Sequence, residues 1–343
     1  MESIIYADAH ASSGFVWPRA ASRWAELCLG PANPSSVHGE GQRAKQHLRE
    51  AREQVANLLG ALADEVVFTS GASEGLMLAV RGLCRVGGQL ALGPLEHAAL
   101  ASEAHLPLGD SRAGVVALAA VNHETGVVAE IPSPGVPLVV DAAQAALRAR
   151  ELWALPQVSA LTFSGHKIGA PTGSGVLLVR NSVPFVATLR GGPQEHALRA
   201  GTESVALAGA FAEALACLYA DRAAITDRLS TASAVYEDAL RAIPGARVHG
   251  AQQPRAPGVT CAGIVGVSAR TMVDRASERG VFMSSGAACA AASNEPSSVL
   301  LAMGLSRERA LEAFRVSFGF SVTPAQAAEV ASVVAAIAAQ VRQ

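Results

Sequence analysis

Residues 65–74 read E-V-V-F-T-S-G-A-S-E: a short apolar, β-branched run that stops at Ser70-Gly71 and passes straight into a helical pattern over residues 73–85. A strand handed to a helix through a glycine is the local unit of an α/β fold. Further short apolar runs follow at residues 90–92, 115–121, 138–140, 160–163 and 176–179. Most lack polar alternation, as strands buried on both faces do. Helical or loop stretches separate several of them. The pattern predicts an α/β fold with a mostly parallel sheet.

Working outward, residues 39–60 place Ala44, Leu48, Ala51, Val55 and Leu58 on one helix face, with Gly60 as the stop. Residues 206–242 form one long Ala/Leu-rich helical stretch without proline, and Pro244, Pro254 and Pro257 then punctuate a loop. Thr323-Pro324-Ala325-Gln326 has the form of a helix start, followed by an apolar face of Val330, Val333, Val334, Ile337 and Val341. A change of texture near residue 215 predicts a large domain over residues 16–215. A smaller α+β domain would combine residues 1–15 with 216–343.

The 343 residues are half apolar, and 27 basic against 29 acidic side chains leave a net charge of −2. That composition excludes a disordered chain, and no basic excess points to nucleic acid. No run of about 18 or more apolar residues exists, so no membrane span is expected. The N-terminus lacks a basic segment followed by a long apolar one, so no secretory signal is read. Five widely spaced cysteines, without a C-x-x-C pair, fit a reducing cytoplasm better than a disulfide framework. Cys28, Cys84, Cys217 and Cys261 lie in apolar contexts and read as small buried hydrophobes.

Four local signals carry chemistry. The turn at residues 69–74 offers exposed N–H groups and a positive helix end to a phosphate, though an ordinary strand-to-helix turn would look the same. Asp141 ends the apolar run L-V-V-D-A-A-Q. Ligands bind at the carboxyl ends of such strands, and an aspartate there can hold a buried cation or merely cap a helix. Lys167 follows a strand in S-G-H-K and is one of only two lysines, the other being Lys45 within a charged helix. An amine at a strand end can form a Schiff base. Cys289 sits among small residues in S-S-G-A-A-C-A-A-A-S, where a nucleophile is more plausible than a packing residue. Together these are the parts of a pyridoxal phosphate site.

At this point the chain resembles the cysteine desulfurases of the NifS/IscS type, in the class V aminotransferase group. The resemblance runs almost end to end. It is carried by Y-A-D-A-H-A-S-S at 6–13, N-P-S-S-V-H at 33–38, F-T-S-G-A-S-E at 68–74, E-H-A-A-L at 96–100 and V-N-H-E-T-G at 121–126. It continues through V-D-A-A-Q, F-S-G-H-K, R-A-G-T-E at 199–203, S-S-G-A-A-C, E-P-S-S-V-L at 295–300 and F-R-V-S-F-G at 314–319. The resemblance implies a type I pyridoxal phosphate-dependent transferase fold, with a mostly parallel seven-stranded sheet in the large domain.

It also implies roles. Lys167 would hold pyridoxal phosphate and shuttle a proton. Asp141 would pair with the pyridinium nitrogen, His97 would stack on the ring and move protons, and Gln144 would bond the ring phenolate oxygen. Ala72, Ser73, Ser164 and His166 would bind the phosphate. Thr202 would reach the phosphate of a neighbouring subunit, so a homodimer is expected. Arg315 would clamp the carboxylate of L-cysteine, with Asn33 assisting. Cys289 would take the sulfur as a persulfide and pass it to an acceptor protein or thiol carrier, for iron–sulfur cluster assembly or thiolation.

The chain departs from the family pattern in places. His123 stands where the family usually has Asn, and is carried as a cofactor contact. The usual H-K-x-Y-G-P-K-G reads H-K-I-G-A-P-T-G here, without the Tyr and the second Lys. Two other readings stay open on this sequence: another enzyme of the same fold (selenocysteine lyase, β-lyase or transaminase), or a poorly catalytic paralogue that relays sulfur.

Overall fold

The computed structural model describes residues 4–30, 32–286 and 295–341. The strands are β1 (Ile5–Tyr6), β2 (Val66–Thr69), β3 (Gln89–Leu92), β4 (His105–Pro107), β5 (Ala113–Ala119), β6 (Leu138–Asp141), β7 (Val158–Ser164), β8 (Gly175–Val179), β9 (Ala246–Val248), β10 (Val259–Ile264), β11 (Val281–Phe282) and β12 (Ala313–Ser317). The helices are α1 (Pro18–Cys28), α2 (Gly39–Leu59), α3 (Ala72–Gly87), α4 (Ala98–Ala101), α5 (Ala149–Trp153), α6 (Val205–Ala220), α7 (Arg222–Arg241), α8 (Ala269–Glu278), α9 (Ser298–Ala302), α10 (Arg307–Leu311) and α11 (Pro324–Val341).

The chain divides into two units. The larger comprises Phe15–Ala120 and Glu130–Asp221; the smaller comprises Met1–Gly14, Val121–Ala129 and Arg222–Gln343. The excursion Val121–Ala129, which carries V-N-H-E-T-G, therefore groups with the terminal segments. Sequence texture gives no hint of this, because the excursion is short and flanked by strands of the other unit.

The larger unit holds a seven-stranded sheet in the order β2-β8-β7-β6-β5-β3-β4. Strands β4, β3, β5, β6 and β7 run parallel, while β8 pairs antiparallel with both β7 and β2. All residues of β6, β7 and β8 are buried, which is why these runs show no polar alternation. Leu76, Ala79 and Leu83 of α3 pack on Val67, Leu90, Val115, Val139 and Leu177 of the sheet. Each valine or leucine among them, fully buried, contributes about 1.5–3 kcal/mol. Helix α2 is capped by His38, whose Nδ1 accepts the Gly41 N–H, and it stops at Gly60 in the left-handed conformation. Its buried face includes Ala44, Leu48, Ala51 and Val55, as the spacing predicts.

The stretch expected as one helix over residues 206–242 is two. Helix α6 ends at Ala220, the N–H of the next residue, Asp221, bonds the Cys217 carbonyl, and α7 begins at Arg222. Absence of proline or glycine hid the break. Helix α6 packs against α1 and α2, and its alanines allow that close approach.

The smaller unit contains an antiparallel sheet in the order β12-β10-β9 and a parallel pair of β1 with β11. Helix α11 is long and apolar enough, by length and composition, to cross a membrane. No span was expected here. The structure gives its apolar residues another use: Val330, Val334 and Ile337 are buried where α11 packs on α7 and α8. Among the described residues Cys28, Cys84, Cys217 and Cys261 are free thiols. Of these four, only Cys261 is fully buried, and Cys28 is exposed at the end of α1, against the expectation of a small buried hydrophobe.

Candidate active site

In the larger unit the functional side chains cluster at strand ends. Strand β2 turns at Ser70-Gly71 into α3, and two glycines let backbone come close there. A Cβ on Gly175 would stand 2.6 Å from the Gly71 Cα, and a Cβ on Gly75 would stand 2.1 Å from Thr162 Oγ1. The start of α3 is thereby set down on the ends of β7 and β8. The Ala72 N–H donates to Ser164 Oγ at 2.7 Å, and Ser73 is exposed on the same first turn. The result is a backbone cradle for an anion, with a serine hydroxyl inside it.

Asp141 closes β6 and is 6% exposed. One carboxylate oxygen accepts the Ala143 N–H at 2.8 Å, within the turn that leads to Gln144. Burial holds its carboxyl above the ordinary aspartate range, while the Ala143 N–H and the charges of Lys167 and His97 pull the other way. Lys167 lies on the single 3₁₀ turn Gly165–Lys167 directly after β7. His166, on the same turn, is pushed down by burial and by the Lys167 charge.

His97 is the N-cap of α4, and its Nδ1 accepts the Ala99 N–H at 3.1 Å. The neutral ring therefore carries its proton on Nε2. Burial lowers the His97 pKa, Asp141 opposes this, and Lys167 adds to it. A neutral imidazole with a fixed tautomer, a buried carboxyl and an amine thus share one electrostatic environment. His97, Asp141 and Lys167 are all candidates read from the sequence.

Glu96 was not predicted as a site residue, although it stands beside His97 in the same string. Its Oε2 accepts the Ala119 N–H at 2.7 Å. Burial, with a further push from Asp141, raises its pKa to about 7. A carboxyl raised in the folded state binds its proton more tightly there than in the unfolded chain. Its stabilising effect is full below about pH 4.5 and is lost as pH rises through about 7. Glu96→Gln should flatten that slope. Measured by urea unfolding, the variant is expected to gain up to about 3 kcal/mol on the wild type between roughly pH 5 and 8.

The altered loop after Lys167 has a partner that the sequence did not reveal. Trp17 donates its indole N–H to the Ile168 carbonyl at 2.8 Å, and its backbone N–H bonds the Gly169 carbonyl at 2.9 Å. Gly169 has φ +81°, and a Cβ there would stand 2.7 Å from the indole. Asn33 and Thr202 come together on the lining of one cavity of about 580 Å³. The Asn33 Oδ1 also closes a turn by accepting the Ser35 N–H at 2.8 Å.

In the smaller unit Arg315 lies on β12 and is 2% exposed. Its Nη2 donates to Asp8 at 2.7 Å and its Nη1 to the His123 carbonyl at 2.9 Å, while Nε is buried with no partner among the described residues. Asp8 stands in the Y-A-D string, but nothing local marks it as a site residue, because its partner is far along the chain. The His123 ring lies 3.5 Å from Glu124, a buried carboxyl that accepts the Ser297 hydroxyl at 2.9 Å. Burial raises the Glu124 pKa, against the pull of Ser297 and Arg315. Ser284 pairs with Arg315 through both backbone bonds, at 2.7 and 3.1 Å. The predicted nucleophile, Cys289, lies outside the described residues.

The family model of class V aminotransferases matches residues 5–109 and 102–330. A cysteine desulfurase of Cereibacter sphaeroides is 30% identical over 90% of this chain and 89% of its own. A cysteine desulfurase of Nostoc sp. is 32% identical over 90% of this chain and 86% of its own. Among solved structures, a NifS-like protein superposes with a TM-score of 0.87 at 23% identity, covering 98% of this chain and all of that one. The chain belongs to the class V aminotransferase family, in its NifS/IscS-type cysteine desulfurase branch. Its fold is that of the type I pyridoxal phosphate-dependent transferases, as the sequence led one to expect.

Proposed function

We propose that this protein is a cysteine desulfurase that uses pyridoxal phosphate to take sulfur from L-cysteine, leaving L-alanine. The relatives named above carry that activity in their names. The observation that carries the reading is the buried Asp141 sharing one electrostatic environment with Lys167 and His97. The residues fit the cofactor. A desolvated carboxyl suits a protonated ring nitrogen, the amine suits a carbonyl carbon, and the backbone cradle at the start of α3 suits a phosphate.

When bound, pyridoxal phosphate supplies an electron sink for charge developing at the amino-acid Cα. The rest falls to the chain. Asp141 would hold the ring nitrogen protonated by its charge. Ala72 N–H, Ser73, Ser164 and His166 would hold the phosphate, Gln144 the phenolate oxygen, and Thr202 the phosphate of a second copy in a homodimer. Lys167 would hold the cofactor and move the Cα proton. His97 would stack on the ring and donate from Nε2. His123 would contact the ring from the position where relatives carry Asn.

Arg315, with Asn33 assisting, would bind the substrate carboxylate. The buried Nε–H of Arg315 suits this, because its desolvation cost is met before substrate arrives. The Cys289 thiolate would attack the substrate sulfur. A sulfur–sulfur bond forms and the substrate carbon–sulfur bond breaks. The electron pair stays on carbon and is quenched by a proton, giving alanine and a persulfide on Cys289. No external oxidant enters. A cytoplasmic location and a thiol or scaffold acceptor complete the reading.

The test is incubation of the loaded protein with L-cysteine, followed by amino-acid analysis and peptide mass spectrometry. Alanine, together with one added sulfur atom on the Cys289 peptide, is the expected outcome. Pyruvate and free sulfide, with Cys289 unmodified, would assign a β-lyase instead.

A further inference from the structure

Residues Glu195, His196 and Ala197 all have left-handed backbone, with φ of 47°, 56° and 61°, and none is glycine. Such a run is unfavourable for L-residues and persists only where its surroundings over-determine it. Here the determinant is the Glu195 side chain, 1% exposed. Its carboxylate accepts both terminal nitrogens of Arg52, at 2.7 and 2.8 Å, and the Phe68 N–H at 2.8 Å. Arg52 also donates to the Val66 carbonyl and lies over the Phe68 ring.

Strand β2 is the edge of the sheet, so Val66 C=O and Phe68 N–H face away from β8. The Arg52–Glu195 pair takes both, as a neighbouring strand would. Three residues beyond Phe68 comes Gly71, the glycine turn. A second tie reaches the same turn from the same segment. Arg199 Nε donates to Glu74 Oε1 at 2.8 Å, and Glu74 Oε2 accepts the Ser70 N–H at 2.6 Å. The segment thus grips the chain on both sides of Thr69, just ahead of the cradle formed with Ser164.

Resting on the cofactor reading above, we infer that the segment over residues 195–199 is a positioning strap for the phosphate cradle. Glu195 with Arg52 holds the strand, and Arg199 with Glu74 holds the turn. None of the four needs to touch the phosphate. The strained backbone is kept because Glu195 must reach an edge strand that Arg199, four residues on, must pass.

The experiment uses the loaded protein and the variants Arg199→Gln, Arg199→Lys and Glu195→Gln. Three quantities are read: the dissociation constant of pyridoxal phosphate, the ³¹P resonance of the bound phosphate, and the thermal midpoint of the cofactor-free form. Arg199→Gln is expected to bind the cofactor roughly tenfold more weakly and to move the ³¹P resonance, as loss of one charge-assisted bond beside the site predicts. Arg199→Lys, which keeps the charge, should recover part of both. Glu195→Gln should do the same as Arg199→Gln if it folds. Because Arg199 is a quarter exposed, its variant tests the strap even where the buried one does not fold. Lower thermal midpoints with an unchanged dissociation constant and ³¹P resonance would reduce the strap to general stability and overturn the inference. A wild-type protein that binds no pyridoxal phosphate would instead overturn the cofactor reading itself.

Discussion

Lys167→Ala is expected to cut alanine formation from L-cysteine at least about a thousandfold and to remove the visible absorption band of the loaded protein. The size follows from how few amines the chain has. Its lysines are Lys45 and Lys167, and the other 25 basic residues are arginines. A guanidinium stays protonated and makes no Schiff base under these conditions. Lys45 is exposed on α2 and cannot take over. Lys167 also places a positive charge where Asp141 and His97 both feel it. Alanine therefore removes nucleophile and charge together. Lys167→Arg separates them, since it keeps a cation near Asp141 without a usable amine. Both variants should be inactive. If Lys167→Arg kept activity within about tenfold of wild type, nucleophilic use of this lysine would be excluded.

What could be read from the sequence, and what could not, divides along contact distance. The glycine turn, Asp141 and the Ser164–Lys167 string each lie at a strand end, so a short window holds both the apolar strand and its chemistry. Contacts that close over long separations left no such mark. Asp8 meets Arg315 across 307 positions, and Glu195 meets the Phe68 N–H across 127. Each residue alone is an ordinary charge. Trp17 against Gly169 belongs to the same class, since an indole before a helix gives no clue that it will seat a loop 151 residues away. Glu96 is illegible for another reason: its titration near neutrality depends on burial, which one sequence position does not display. The broken helix at Asp221 shows the converse limit, because propensity alone favours continuing through it.

Asp141→Asn should move stability and activity in opposite directions. In the cofactor-free protein Asp141 is a desolvated carboxyl with a raised pKa. The folded state then binds the proton more tightly than the unfolded chain. Stability from this group is present below the ordinary aspartate range and is lost as pH rises through the raised value. Asparagine removes the charge while keeping an oxygen for the Ala143 N–H. The cofactor-free variant should therefore unfold at a higher temperature than wild type at neutral pH, with the gain shrinking as the pH is lowered. With pyridoxal phosphate bound, the balance reverses. The ring nitrogen no longer has an anion to keep it protonated, and a pair worth more in a dry site than in water is lost. Alanine formation should fall by about a hundredfold or more, a loss of about 3 kcal/mol in barrier terms. Calorimetry of the cofactor-free proteins and turnover of the loaded ones supply the two readings. A variant that lost stability without cofactor would mean that Asp141 is held chiefly by structure, through His97 and Lys167. A variant that kept its turnover would mean that the ring nitrogen is not its partner.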